Sequence, residues 1–122
     1  MTLDHVQRIN LVALLDILEC KGRREFWAVC KLQERIDLDE EERQAIGLVK
    51  DRTPDGREFF RWDTGKTIEP RTYELSDDDV NRICRALDNV ALIVGRDRWY
   101  RALQAQLPDP PAESSNGAGG KP

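Results

Sequence analysis

The stretch RTPDGREFFRWDTGKTIEPRTYEL, residues 52–75, carries the strongest local structure signals of the chain. Its T-P-D-G segment, residues 53–56, predicts a tight turn, because Pro fixes one backbone angle, Asp bonds back to the backbone and Gly accepts a positive φ. The flanking residues 48–50 and 58–62 therefore predict the two strands of a β-hairpin. A second turn at D-T-G-K leads to an alternating segment at 71–75, which extends the hairpin to a three-stranded antiparallel meander.

Apolar residues at helical spacing predict three helices before the hairpin. The first covers residues 3–19, is apolar over more than half of its circumference and ends at Gly22. Such a width indicates burial on two sides or against a second copy. The second helix covers residues 23–36. The third is short and runs from a capping box at Asp39 to Gly47.

Two further helices are predicted after the hairpin. Ser76 and the three Asp residues that follow it are a strong helix start, and apolar residues continue at helical spacing to Val94. A last helix covers residues 97–107. The remaining segment, 108–122, is rich in Pro, Gly and Ser and is expected to be a disordered tail. The sequence thus predicts one globular α+β domain over residues 1–107.

Composition limits the classes of function. The 122 residues include 19 basic and 23 acidic side chains, and the resulting charge of −4 opposes attraction to nucleic acid or anionic lipid. The N-terminus lacks a basic run before an apolar stretch, and the longest apolar run is too short to span a bilayer. Cys20, Cys30 and Cys84 form no C-x-x-C pair and indicate small core residues in a reducing compartment. A cytoplasmic protein without a membrane partner is expected, in the host cell if a phage encodes it.

No catalytic, cofactor or metal site is predicted. The G-K-T at residues 65–67 resembles the end of a phosphate-binding loop, but Phe60 stands where that loop needs Gly, so a turn is the better interpretation. The acidic clusters lie at predicted helix starts, where carboxylates stabilise the helix. The one histidine, His5, is expected on the surface without a partner for acid–base chemistry or metal binding. The sequence therefore predicts a protein that is not an enzyme.

Nucleic-acid binding is one of two remaining functions. Three helices followed by a hairpin is the element order of a winged helix, whose third helix enters the major groove. Here that helix reads DEEERQAI and would present acidic side chains to phosphates. The hairpin supplies Arg52, Arg57 and Arg61, and residues 21–24 add a small basic patch. This function is kept as the alternative.

Protein binding is the function that the sequence favours. Alternation directs Phe60 and Trp62 to one face of the sheet and Phe59 to the other. Helices packed on one side of the sheet would not cover all of this aromatic surface. Pro70 makes the third strand an edge strand, which could accept a strand of a partner. The predicted binding residues are Arg52, Arg57, Phe59, Arg61, Trp62 and Tyr73. The first helix could also form a homodimer, because its broad apolar surface could pack against a second copy.

The sequence resembles a family of short hypothetical proteins encoded by tailed phages and prophages. The resemblance covers roughly residues 3–90 and follows the pattern of apolar positions and turns. Its matching residues are Leu3, Arg8, Ile9, Leu11, Leu14 and Leu15, Lys21-Gly22, IDLDEEE at 36–42, Gly47-Leu48, Asp55-Gly56, Trp62-Asp63 and YELSDDD at 73–79. The resemblance implies a phage or prophage origin and a small accessory role. It carries no activity and does not choose between a protein and a nucleic acid as partner.

Overall fold

The computed structural model describes residues 1–110, which form an α+β fold of five helices and two small two-stranded antiparallel sheets. The predicted tail therefore lies outside the described residues from position 111 onward. The helices are α1 (His5–Asp16), α2 (Gly22–Ile36), α3 (Glu40–Ile46), α4 (Asp77–Asp88) and α5 (Arg98–Gln104). The strands are β1 (Thr2–Leu3), β2 (Val49–Arg52), β3 (Glu58–Arg61) and β4 (Arg71–Thr72).

The hairpin prediction is confirmed, but the three-stranded meander is wrong. Strands β2 and β3 pair in antiparallel fashion, whereas β4 pairs with the N-terminal strand β1. Two contacts draw β4 away from the hairpin. The Arg71 guanidinium forms ion pairs with Asp39 and Glu42. In addition, Tyr73 exchanges backbone hydrogen bonds of 2.8 Å with Met1, whose amino group and carbonyl take part.

The first helix is shorter at both ends than the sequence predicts. Residues 2–3 are a strand, and the helix begins after Asp4, which forms a capping box with Gln7. At the other end the helix stops at Asp16, and Gly22 is the first residue of α2 rather than the end of α1. The predicted boundaries were wrong because apolar periodicity continues through the connecting segment 17–21.

The caps of the later helices are largely as predicted. Asp39 and Glu42 form the expected capping box of α3, and Gly47 ends that helix in the left-handed region with φ of 67°. The Ser76 hydroxyl accepts a hydrogen bond from the Asp79 N–H at the start of α4. The predicted continuation of α4 to Val94 is wrong, because the helix ends at Asp88 and the Val94 side chain is 80% exposed.

The core forms around α1, which packs against α2, α4 and α5. Its largest cluster contains Leu11 and Leu15 of α1 together with Leu32, Ile83 and Leu103 from the three neighbouring helices. A second, smaller cluster lies beneath the hairpin. It consists of Ile9, Leu38 and Ile46, with Leu48, Trp62 and Ile68 packed against it. No helix in residues 1–110 is long and apolar enough to cross a membrane.

A fully buried cation, Arg8, connects α1 to the junction between α2 and α3. Its Nε donates to the Ile36 carbonyl and its Nη2 to the Asp37 carbonyl, both at 2.9 Å. The other bonds are bidentate, with Nη1 and Nη2 at 2.7 and 2.9 Å from the two Glu42 carboxylate oxygens. A planar guanidinium matches a carboxylate in this way and also suits the negative C-terminal end of α2.

Glu42 is consequently held in its charged form. The hydrogen bonds from Arg8 are the main reason why the pKa of Glu42 falls from an ordinary 4.5 to about 2, despite its partial burial. The Asp39 N–H and the Arg71 guanidinium act in the same direction. The same carboxylate thus serves a buried cation, a helix cap and the anchor of β4.

Acid should weaken the fold through Glu42. Because its folded pKa lies below the unfolded value, its contribution to stability is complete above about pH 4.5 and is lost as the pH falls toward 2. The full contribution is about 3 kcal/mol for a shift of this size. Urea unfolding of Glu42→Gln between about pH 6 and 3 should show a lower stability than the wild type at about pH 6 and a shallower loss on acidification.

The matched control is Glu41→Gln, which removes an exposed carboxylate one residue away. It should follow the wild-type pH profile. Equal profiles for the wild type and Glu42→Gln would contradict the assigned role of the Arg8–Glu42 pair.

Candidate functional site

The β2–β3 hairpin exposes apolar side chains on both of its faces, with Val49 and Phe59 on one face and Phe60 on the other. Every residue of β3 and all but one of β2 are exposed. Val49, Phe59 and Phe60 are 46%, 40% and 41% exposed, which is unusual for three apolar side chains on neighbouring strands. Strands β2 and β3 therefore leave most of their side chains exposed.

The backbone of the hairpin also has open edges. Neither strand pairs with a third strand within residues 1–110. The Thr53 N–H donates to the Arg57 carbonyl beside the turn, and Gly56 completes that turn with φ of 90°. From the alternation of an antiparallel ladder, the N–H and C=O groups of Glu58 and Phe60 point away from β2. These groups can accept an added strand.

An open cleft, the hairpin groove, separates the hairpin from α1. It has a volume of about 340 Å³ and is continuous in its lining with a second cleft of about 430 Å³. The lining residues that the two clefts share are Val12, Asp37, Lys50 and Phe60. Phe59 and Ala13 border the second cleft. The lining combines apolar side chains with charged side chains of both signs.

The three arginines predicted for binding are engaged within the hairpin. Arg52 pairs with Glu58, Arg57 with Asp55 and Arg61 with Asp51, at distances between 3.0 and 3.3 Å. Lys50 also pairs with Glu58 at 3.4 Å. All of these side chains are largely exposed, so each pair is weak, but the local charge is nearly balanced. The hairpin therefore lacks the uncompensated positive charge that phosphate binding requires.

The turn of the hairpin is stabilised by its own polar side chains. The Thr53 hydroxyl and the Arg57 guanidinium both donate to the Asp55 carboxylate and lower its pKa. The Arg57 N–H in turn donates to the Thr53 hydroxyl at 3.1 Å. These local bonds set the register of the two strands independently of the helical core. The second predicted turn is present as well, with the Lys66 N–H donating to the Asp63 carbonyl.

Two of the predicted binding aromatics lie away from the exposed surface. Trp62 is half-buried and packs against the cluster of Ile9, Leu38 and Ile46. Tyr73 is buried, its ring lies 6.0 Å from the Arg8 guanidinium carbon, and burial raises the pKa of its hydroxyl. The structure thus places Arg52, Arg57, Phe59 and Arg61 on the hairpin. Trp62 packs on the cluster beneath the hairpin, and Tyr73 belongs to the main core.

The prediction that His5 lies on the surface is wrong. Its side chain is buried at the start of α1, and its Nδ1 has no hydrogen-bond partner in the described part of the chain. It was predicted to be exposed because the apolar pattern puts it near the polar side of the first helix. Across residues 1–110, no three His, Cys, Asp or Glu side chains are grouped as metal ligands.

The predicted binding residues did not include Val12, Val49 or Phe60, although the sequence analysis named Phe60 among the aromatics of the sheet. Val49 and Phe60 are as exposed as Phe59, and Val12 of α1 lines the groove. The alternating hairpin sequence could have identified Val49 and Phe60. The contribution of Val12 depends on how the hairpin is placed against α1, which no local pattern records. No family model, curated protein or solved structure matches this chain, so its binding properties are inferred from its own residues.

Removal of side chains should separate surface residues from structural ones. Phe59→Ala and Arg57→Ala should lower the free energy of unfolding by less than about 1 kcal/mol, because Arg57 is largely exposed and Phe59 belongs to neither core cluster. Trp62→Ala should cost about 2 kcal/mol or more, since it opens the cluster beneath the hairpin. Urea denaturation measures all three. A larger loss for Phe59→Ala than for Trp62→Ala would show that the hairpin is packed differently.

Proposed function

We propose that this chain is a non-enzymatic accessory protein of phage or prophage type that acts by binding another protein through the β2–β3 hairpin. The observation that carries the proposal is the exposure of Val49, Phe59 and Phe60 beside an open groove. Exposed aromatic side chains of this kind contribute strongly to protein interfaces. The accessory role and the origin rest on the sequence resemblance alone.

Two modes of contact are available to a protein partner. An apolar side chain can enter the hairpin groove between Val12 and Phe60, where Lys50 and Asp37 can orient polar groups. A partner strand can also add to an open edge of the hairpin. Isolated two-stranded hairpins have marginal stability, and a third strand improves it. The two modes are compatible, because an added strand would carry side chains to the groove.

A second copy of the chain is one partner that this proposal includes. Most of the apolar surface of α1 is used inside the fold, where Leu11 and Leu15 are buried. Ala13 and Ile17 remain exposed, so the surface available for dimerisation through α1 is narrower than the sequence predicts. The hairpin thus offers the larger apolar surface for a partner.

The winged-helix alternative has less support. The order α1, α2, α3 and hairpin agrees with it. However, the first turn of α3 carries Glu40, Glu41 and Glu42, and the hairpin arginines are paired with carboxylates. Negative side chains on the helix that would enter the major groove oppose binding to phosphates.

Site-specific photocrosslinking tests the proposal. A photoreactive phenylalanine analogue at position 60 should give a discrete adduct in a lysate of the producing cell. The same analogue at position 94, which is 80% exposed in the connection between α4 and α5, should not give that adduct. Mass spectrometry identifies the captured chain, and an adduct with a second copy would identify a dimer.

A titration with the identified protein completes the test. The double variant Phe59→Ala/Phe60→Ala should lose about tenfold or more in affinity, because central aromatic residues carry most of the binding free energy. Val94→Ala should bind like the wild type. Identical adducts from both positions, or equal affinity of the double variant, would contradict the proposed surface.

A further inference from the structure

The cations of this protein are unevenly paired. Most Lys and Arg side chains within residues 1–110 form ion pairs with carboxylates. Those without a carboxylate partner in this part of the chain are Lys21, Arg23, Arg24, Lys66, Arg98 and Arg101. Half of this set falls within residues 21–24, at the start of α2, and all three side chains there are exposed. Within residues 1–110, cations without a carboxylate partner are therefore concentrated at the start of α2.

Two exposed aromatic rings stand among these cations. Phe26 and Trp27 are 60% and 61% exposed on α2. Helical spacing puts Arg23 beside both rings, because residues three and four apart are neighbours on a helix. On the next turn, the Lys31 ammonium lies 4.6 Å from the centroid of the Trp27 ring. The aromatic–cation face of α2 is defined as Lys21, Arg23, Arg24, Phe26, Trp27 and Lys31.

We propose that the aromatic–cation face of α2 binds single-stranded nucleic acid without sequence preference. Unpaired guanidinium and ammonium groups attract backbone phosphates, and each base offers a flat face that stacks on an exposed aromatic ring. Cations next to the rings on the same helix allow phosphate contact and stacking by one strand. The proposal concerns a surface separate from the hairpin, so it stands or fails independently of the proposed protein partner.

The arrangement of rings and cations on α2 suits a single strand of nucleic acid better than a duplex, a lipid surface or a protein. A duplex keeps its bases stacked inside, so the two rings would find no base to stack on. A lipid surface favours apolar side chains that project beyond a basic rim. Trp27 instead has Lys31 over its ring, and Arg23 and Arg24 are its neighbours by helical spacing. A protein interface has a contiguous apolar centre with a polar border. On this face the two adjacent rings form only a small apolar area, with Arg23 and Arg24 before them and Lys31 after them along the helix.

The contact should be sensitive to salt. Contact by Lys21, Arg23 and Arg24 predicts that the logarithm of the affinity falls with the logarithm of the salt concentration with a slope of about −2, at about 0.7 per phosphate neutralised on a single strand. The overall charge of −4 adds no attraction. Binding must therefore depend on these local groups.

Fluorescence anisotropy of a labelled short oligothymidylate, titrated with the protein at about 50 and about 200 mM salt, tests the proposal. Trp27→Ala should weaken binding about 5- to 100-fold, because stacking contributes about 1–3 kcal/mol per base. Trp27→Phe keeps a ring and should retain most of the affinity. Arg24→Ala should weaken binding and make the salt slope shallower by about 0.7.

The matched control is Arg101→Ala, which removes an exposed, unpaired cation from α5 with the same change of net charge. It should leave the affinity and the slope unchanged. Equal losses of affinity for Arg24→Ala and Arg101→Ala would show that binding depends only on the net charge of the protein, and would overturn the proposal. So would no binding at low salt, stronger binding to a duplex of the same sequence, or binding only to anionic phosphatidylglycerol vesicles.

Discussion

The fold depends on one buried ion pair, between Arg8 and Glu42. Arg8 is fully buried on α1 and uses its guanidinium to hold the end of α2 and the start of α3. A charge removed from water in this way is tolerated only when its hydrogen bonds are satisfied. Here two carbonyls and a bidentate carboxylate satisfy them. Three helical elements are therefore fixed relative to one another through a single side chain.

The same pair determines where the sheet residues lie. Glu42 also receives an ion pair from Arg71, which keeps the chain after the second turn next to α3. From there β4 reaches the N-terminal strand instead of the hairpin. The hairpin is left with two open edges and an exposed apolar surface. The exposure of the hairpin is thus an indirect consequence of the Arg8–Glu42 pair, although neither residue belongs to the hairpin.

Local chemistry in the sequence predicted the elements that have local causes. The capping box at Asp39, the helix start at Ser76 and the turn at residues 53–56 were all correct, because each depends on bonds between residues close in the chain. The pairing of β4 with β1 and the burial of His5 were not predicted. The strand pairing depends on contacts between residues about 70 positions apart, which periodicity does not record. Arg8 was noted in the sequence pattern, yet its role required the positions of α2 and α3.

The candidate surfaces show the same limit. The exposed aromatics of the hairpin could be predicted from alternation, but the arginines beside them were assigned without their carboxylate partners. Cross-strand and turn neighbours neutralise them, and only the structure identifies those neighbours. Conversely, residues 21–24 stood out in the sequence only as a small basic patch. The structure adds two facts about them. They have no carboxylate partner among residues 1–110, and exposed aromatic rings follow them on α2.

The most direct test of this account is a double-mutant cycle on the Arg8–Glu42 pair, with free energies of unfolding measured in urea for Arg8→Met, Glu42→Gln and the double variant. Each single variant leaves a buried group without its partner and should cost about 3 kcal/mol or more. The double variant should be more stable than the sum of the two losses predicts, by at least about 2 kcal/mol. Losses that add to within about 0.5 kcal/mol would contradict the view that this pair organises the fold.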